Sequence, residues 1–117
     1  MTASLFSERV RRRLLDIVDD IDRLTGFVSG LDVDAFAADE RTVLAVERLL
    51  QRITEAVVQI GVDQMAQLAP DMPVGKIGAL GNRLRHDYGK VDPALPLMIA
   101  CEDLPGLRAA AVAGLVR

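Results

Sequence analysis

Apolar residues recur along this chain in two long runs whose steps alternate between four and three. Val10, Leu14, Ile17, Ile21, Leu24 and Val28 make the first run, and Val43, Val46, Leu50, Ile53, Val57 and Ile60 the second. That spacing keeps one face of an α-helix apolar at about 3.6 residues per turn, and it does not fit the two-residue period of a strand. Ser7 before Glu8 supplies an N-cap for the first helix, and Gly30 ends it. A short helical turn around Ala35 to Ala38 leads to Asp39, where the second long helix opens. Its pattern runs on towards Leu68, and some thirty residues at about 1.5 Å each make a rod of about 45 Å. So long a rod exceeds what a domain this small needs for itself, which predicts packing against a second chain.

Pro70 and Pro73 interrupt the pattern, and Pro73 suits the first turn of a third helix because its missing N–H has no role there. Asp92-Pro93 restarts the chain through Leu97, Met98 and Cys101. Asp103-Leu104-Pro105 repeats that device before Leu107, Ala111 and Leu115. No stretch alternates with strand periodicity over a useful length, and no repeat or linker divides the chain. The expected architecture is a single all-α domain over residues 1–117, an antiparallel bundle of four to five helices that forms a homodimer.

Composition narrows the chemistry. Half of the 117 residues are hydrophobic and only 3% aromatic, so Leu, Val, Ile and Ala fill the core and base stacking on aromatic rings is largely excluded. A net charge of −3 gives no global field for nucleic acid, so any RNA contact needs a local basic patch. Arg11, Arg12 and Arg13 share the polar face of the first helix with Asp19, Asp20 and Asp22. That face is most simply solvated, with the arginines as an RNA-facing patch the alternative. One cysteine, Cys101, and one histidine provide no set of soft ligands for zinc, so no metal or other cofactor is expected. No apolar run reaches the ~18 residues of a spanning helix, and no basic-then-apolar leader opens the chain. A cytoplasmic protein without a membrane anchor is the expectation.

The single histidine, His86, lies in Gly81-Asn82-Arg83-Leu84-Arg85-His86-Asp87-Tyr88, among two guanidiniums, an amide and a phenol. Imidazole is the side chain that can take and give a proton near neutral pH. At about 100° per residue, Val74, Ile77, Leu80, Gly81, Leu84 and Tyr88 gather on one side of the third helix. His86 falls opposite, with Asn82 roughly 40° away and Arg83 about 60° on the other side. His86 is thus a candidate proton carrier, with the amide of Asn82 and the guanidiniums of Arg83 and Arg85 as neighbours that can hold an anion. Tyr88 reaches that face only if the helix unwinds around Asp87, which a cap at Gly89 would allow.

Asn82 to Tyr88, with the preceding Pro73-Val74-Gly75-Lys76-Ile77-Gly78-Ala79-Leu80, resembles the signature helix of HepT-like toxins, a branch of the HEPN superfamily of small all-helical ribonucleases. The pattern there is Arg-Asn-x-x-x-His-x-Tyr, matched by Asn82, His86 and Tyr88, while Gly81 stands in place of the leading Arg. The likeness extends from about Val10 to the C-terminus and takes in Glu55 and the Asp103-Leu104-Pro105 turn. It implies the toxin of a type II toxin–antitoxin pair, a metal-independent endoribonuclease whose two sites face each other across a dimer. It implies catalysis by His86, Asn82 and Arg83, RNA binding by Arg85 and Arg83, and a nucleotidyltransferase antitoxin that silences the toxin by transferring AMP to Tyr88. Arg83, on the face of His86, is expected to replace the missing cation, so that Gly81→Arg would alter activity only modestly. The alternatives are a catalytically weak or inactive helical subunit that binds a nucleotidyltransferase, and a helical bundle with no RNA connection.

Overall fold

A computed structural model describes residues 6–87 and 90–116 and is all-helical over them. Seven helices follow one another: α1 (Glu8–Val28), α2 (Val33–Ala38), α3 (Glu40–Ile60), α4 (Val62–Leu68), α5 (Val74–His86), α6 (Ala94–Glu102) and α7 (Leu104–Leu115). Ser7 caps α1 by accepting the Val10 N–H, and Asp32 caps α2 through the Ala35 N–H. At α3 the Asp39 carboxylate accepts from both the hydroxyl and the backbone N–H of Thr42, which hold it below the usual carboxylate range.

The expected thirty-residue rod is two helices. Gly61 sits at φ +97°, a left-handed conformation that an L side chain rarely adopts, and the chain breaks there between α3 and α4. The 21 residues of α3 span about 32 Å at 1.5 Å each. Helix length therefore no longer argues for a second chain. The count of seven among the described residues exceeds four to five because this break sets α4 apart and the short helices α2 and α6 stand as elements of their own.

Cross-helix contacts fix the topology. Arg9 donates to the Gln59 carbonyl while Asp20 pairs with Arg52, so α1 and α3 run antiparallel. Gln51 donates to the Leu84 carbonyl and Gly81 lies on Thr54, so α3 and α5 do likewise. Arg11 reaches the Leu115 carbonyl and Arg108 grips Asp22, setting α7 antiparallel to α1. The order across the bundle is α5, α3, α1, α7, with α6 against α7. Its core contains both apolar runs, from Val10 to Leu24 and from Val46 to Ile60, with Phe36, Leu84 and Leu107 among the residues that close it. At 25 cal/mol per Å² of apolar surface, burial of this kind is the dominant stabilising contribution.

Two charges at the edges of the α1 pairings are informative. Asp20 is only 2% exposed, yet the Arg23 and Arg52 guanidiniums lie 3.1 and 3.0 Å from it and offset the cost of its burial. Asp22 is exposed and accepts two hydrogen bonds from Arg108, at 2.7 and 3.1 Å, which hold its carboxyl below the usual range. Arg11 and Arg13 are likewise engaged within the chain, Arg11 with Leu115 and Arg13 with Asp16, while Arg12 of that triplet is exposed. No helix among the described residues is long and apolar enough to cross a membrane.

Candidate functional site

Helix α5 is amphipathic in the sense its sequence requires. Gly81 and Leu84 are buried against α3, Val74, Ile77 and Leu80 are half-buried, and Asn82, Arg83, Arg85 and His86 are exposed. Pro73 stands at the N-cap position, one place earlier than expected, and the Ile77 N–H bonds to its carbonyl. The helix ends at His86, where the Asp87 N–H still reaches the Arg83 carbonyl at 2.8 Å. Arg83, Arg85 and His86 thus occupy the last turn, the end where a helix dipole favours cations. Tyr88 and Gly89 lie outside the described residues, so the acceptor role expected of Tyr88 has no structural description.

Asn82 and Arg85 meet. The Arg85 Nη2 donates to Asn82 Oδ1 at 2.8 Å, one helical turn back. Side chains on a helix lean towards its N-terminus, so a residue three positions later can reach over the preceding turn. Arg83 shares the exposed surface with His86 as expected, but the guanidinium joined to the Asn82 amide is that of Arg85. The arrangement places an amide, two guanidiniums and an imidazole on one solvent-facing surface, a group of donors suited to an anion and one group suited to proton transfer.

Beneath this surface α3 contributes a polar seam that periodicity alone does not reveal. Glu47, Gln51 and Thr54 are all buried and follow one another at steps of four and three. Gln51 holds the Leu84 carbonyl at 3.3 Å and accepts from Arg48. Thr54 donates to the Gln51 carbonyl of its own helix and lies directly against Gly81. A Cβ at position 81 would overlap the Thr54 hydroxyl and stand 2.9 Å from Thr54 Cβ. Glycine is therefore required by the α3–α5 approach, and an arginine at 81 cannot be accommodated without moving one helix. Gly81→Arg therefore carries a packing cost that the expectation of a modest change in activity does not include. The sequence marks Gly81 as lying on the packing side, but only the fold identifies Thr54 as its neighbour.

Together these features define a small all-α domain with a polar Asn–Arg–His surface on one exposed helix face. The family model described as HepT-like, "Ribonuclease HepT-like", matches residues 17–113, and the chain belongs to the HepT-like family. It is 30% identical over 95 residues to "Probable ribonuclease HepT" of Thermococcus cleftensis, an alignment covering 81% of this chain and 86% of that protein. No solved structure gives a significant match.

Proposed function

We propose that this chain is the ribonuclease toxin of a type II toxin–antitoxin pair. The observation that carries the reading is the exposed His86, on the same solvent-facing surface as Asn82 and Arg85, on a helix whose opposite face is buried. Family membership supplies the substrate class. In the proposed reaction the ribose 2′-hydroxyl attacks the adjacent phosphorus and His86 removes its proton. The P–O5′ bond breaks, leaving a 2′,3′-cyclic phosphate, and the leaving oxygen takes a proton. Asn82 with Arg85, joined by Arg83, would meet the negative charge that gathers on the phosphorane oxygens. A homodimer that brings two copies of His86 to one cleft would supply both the base and the acid.

Control is proposed to come from a nucleotidyltransferase partner that transfers the AMP of ATP to the Tyr88 phenol with loss of pyrophosphate. The modification adds about one negative charge and considerable bulk two residues from His86, where RNA phosphate would bind. A second reading, a weak or inactive binding subunit, is favoured by one observation: Thr54 excludes the family's arginine from position 81. Expression in a bacterial host separates the two. The toxin reading expects growth to slow when the chain is made alone, to recover with His86→Ala, and to recover again with an active partner. Equal toxicity of the alanine variant would remove His86 from the mechanism, and no toxicity from the parent chain would favour the binding subunit.

A further inference from the structure

Between α3 and α5, on the flank where Gly81 faces Thr54, lies a pocket of about 370 Å³. Glu55, Val58 and Gln59 of α3 form one wall, and Gly78, Gly81 and Arg85 of α5 the other. The two glycines leave the α5 wall as backbone, and Val58, 54% exposed, offers an apolar surface opposite. A carboxylate and a guanidinium thus line one pocket, yet no ion pair within 4.0 Å joins them. Each is held by a neighbour on its own helix: Glu55 Oε1 accepts from Gln59 Nε2 at 3.3 Å, and Arg85 donates to Asn82. Going round α5 at about 100° per residue, the order is Gly81, Arg85, Asn82, His86. The pocket therefore opens on the same flank as the candidate proton carrier, and Arg85 stands between the two.

We infer that this pocket is a nucleobase subsite that selects guanine beside the phosphate handled by His86, an inference that rests on the ribonuclease reading. An ionised carboxylate can only accept hydrogen bonds, and a guanidinium can only donate them. Guanine alone among the RNA bases presents two adjacent donors, N1–H and the 2-amino group, that match a carboxylate in a bidentate pair, and its O6 and N7 accept from arginine. Adenine and cytosine offer one amino donor beside a ring nitrogen whose lone pair a carboxylate repels. Uracil offers a single N–H flanked by two carbonyls. Sequence-specific contact of this kind requires an unpaired base, so the substrate class is single-stranded RNA or a loop. Arg85 would act twice, donating to the base from one edge of its guanidinium while its Nη2 orients Asn82.

The test uses the full chain and short oligouridine probes carrying one guanine or one adenine, 2′-O-methylated so that they cannot be cleaved. Fluorescence anisotropy should show roughly tenfold tighter binding of the guanine probe. Glu55→Gln, an exposed isosteric change checked for an unaltered circular dichroism spectrum, should bring the two affinities together by weakening the guanine probe alone. A parallel map of cut positions in unmodified RNA should show guanine at one fixed place relative to the broken linkage, and a loss of that bias in Glu55→Gln. Equal binding of the two probes, or a preference that survives Glu55→Gln, overturns the guanine subsite. Guanine-selective binding without any cleavage of unmodified RNA supports the subsite and overturns the ribonuclease reading instead.

Discussion

Gly81→Ala should destabilise this protein, although alanine is the better helix former. In an unobstructed helix interior the change stabilises by about 1 kcal/mol, because glycine loses more backbone freedom on folding. Here the added methyl overlaps the Thr54 hydroxyl and comes within 2.9 Å of Thr54 Cβ. Thr54 is 3% exposed and branched at Cβ, so its side chain cannot swing away, and relief must come from parting α3 and α5. Overpacking of this sort costs about 1–3 kcal/mol, so the net expectation is a loss of roughly 1 kcal/mol, within a range from near zero to 2. Urea unfolding followed by circular dichroism reads this directly as a lower midpoint at unchanged slope. The physical cause is tested by the double-mutant cycle with Thr54→Ala, which removes the hydroxyl that the new Cβ overlaps and leaves only the contact with the Cβ of residue 54. Gly81→Ala should cost about 1 kcal/mol less in that background. If Gly81→Ala instead raises stability by the full helix-propensity gain, or if the cycle shows no coupling, the close approach of α3 and α5 at this point is wrong.

Leu84 is fully buried on the inner face of the same helix, and Leu84→Ala should cost about 2–5 kcal/mol by urea unfolding, with a loss below 1 kcal/mol contradicting its place in the core. The Asp22–Arg108 pair makes a pH prediction. Because Arg108 lowers the folded-state carboxyl value of Asp22, the pair's contribution is present above the ordinary carboxylate pKa of about 3.9 and is lost as the pH falls through the lower folded value. Asp22→Asn should therefore show a small, salt-sensitive deficit at neutral pH that vanishes in acid, and a deficit confined to acid would reverse the assignment. Incubation with the proposed nucleotidyltransferase partner and ATP should add AMP units to the intact mass, and Tyr88→Phe should abolish them. Equal labelling of the phenylalanine variant would place the modification elsewhere.

The fold was largely legible because both apolar runs keep helical spacing without a lapse, and Ser7, Asp32, Asp39 and Asp103 stand at helix starts. Gly61 was not legible as a break, since a lone glycine inside a helical pattern is commonly tolerated and the apolar steps continue across it. At the site, the separation of a buried and an exposed face of α5 followed from its wheel. Which guanidinium meets the Asn82 amide did not, because angular position says where a side chain leaves the helix, while a long side chain such as Arg85 also leans back one turn. The pairing of Gly81 with Thr54 joins residues 27 apart in sequence, and no local pattern encodes it. The same holds for Gln51 beneath the Leu84 carbonyl.

The most direct test of the proposed function is RNA cleavage by the purified chain in the presence of a chelator, compared with His86→Ala. His86 is exposed at the end of α5, so the substitution should leave the unfolding free energy within about 0.5 kcal/mol of the parent. The parent should generate products ending in 2′,3′-cyclic phosphate, and the alanine variant should generate none above background. Cleavage by the alanine variant at the parent's rate, with the fold intact in both, would contradict the assignment of His86 as the proton carrier.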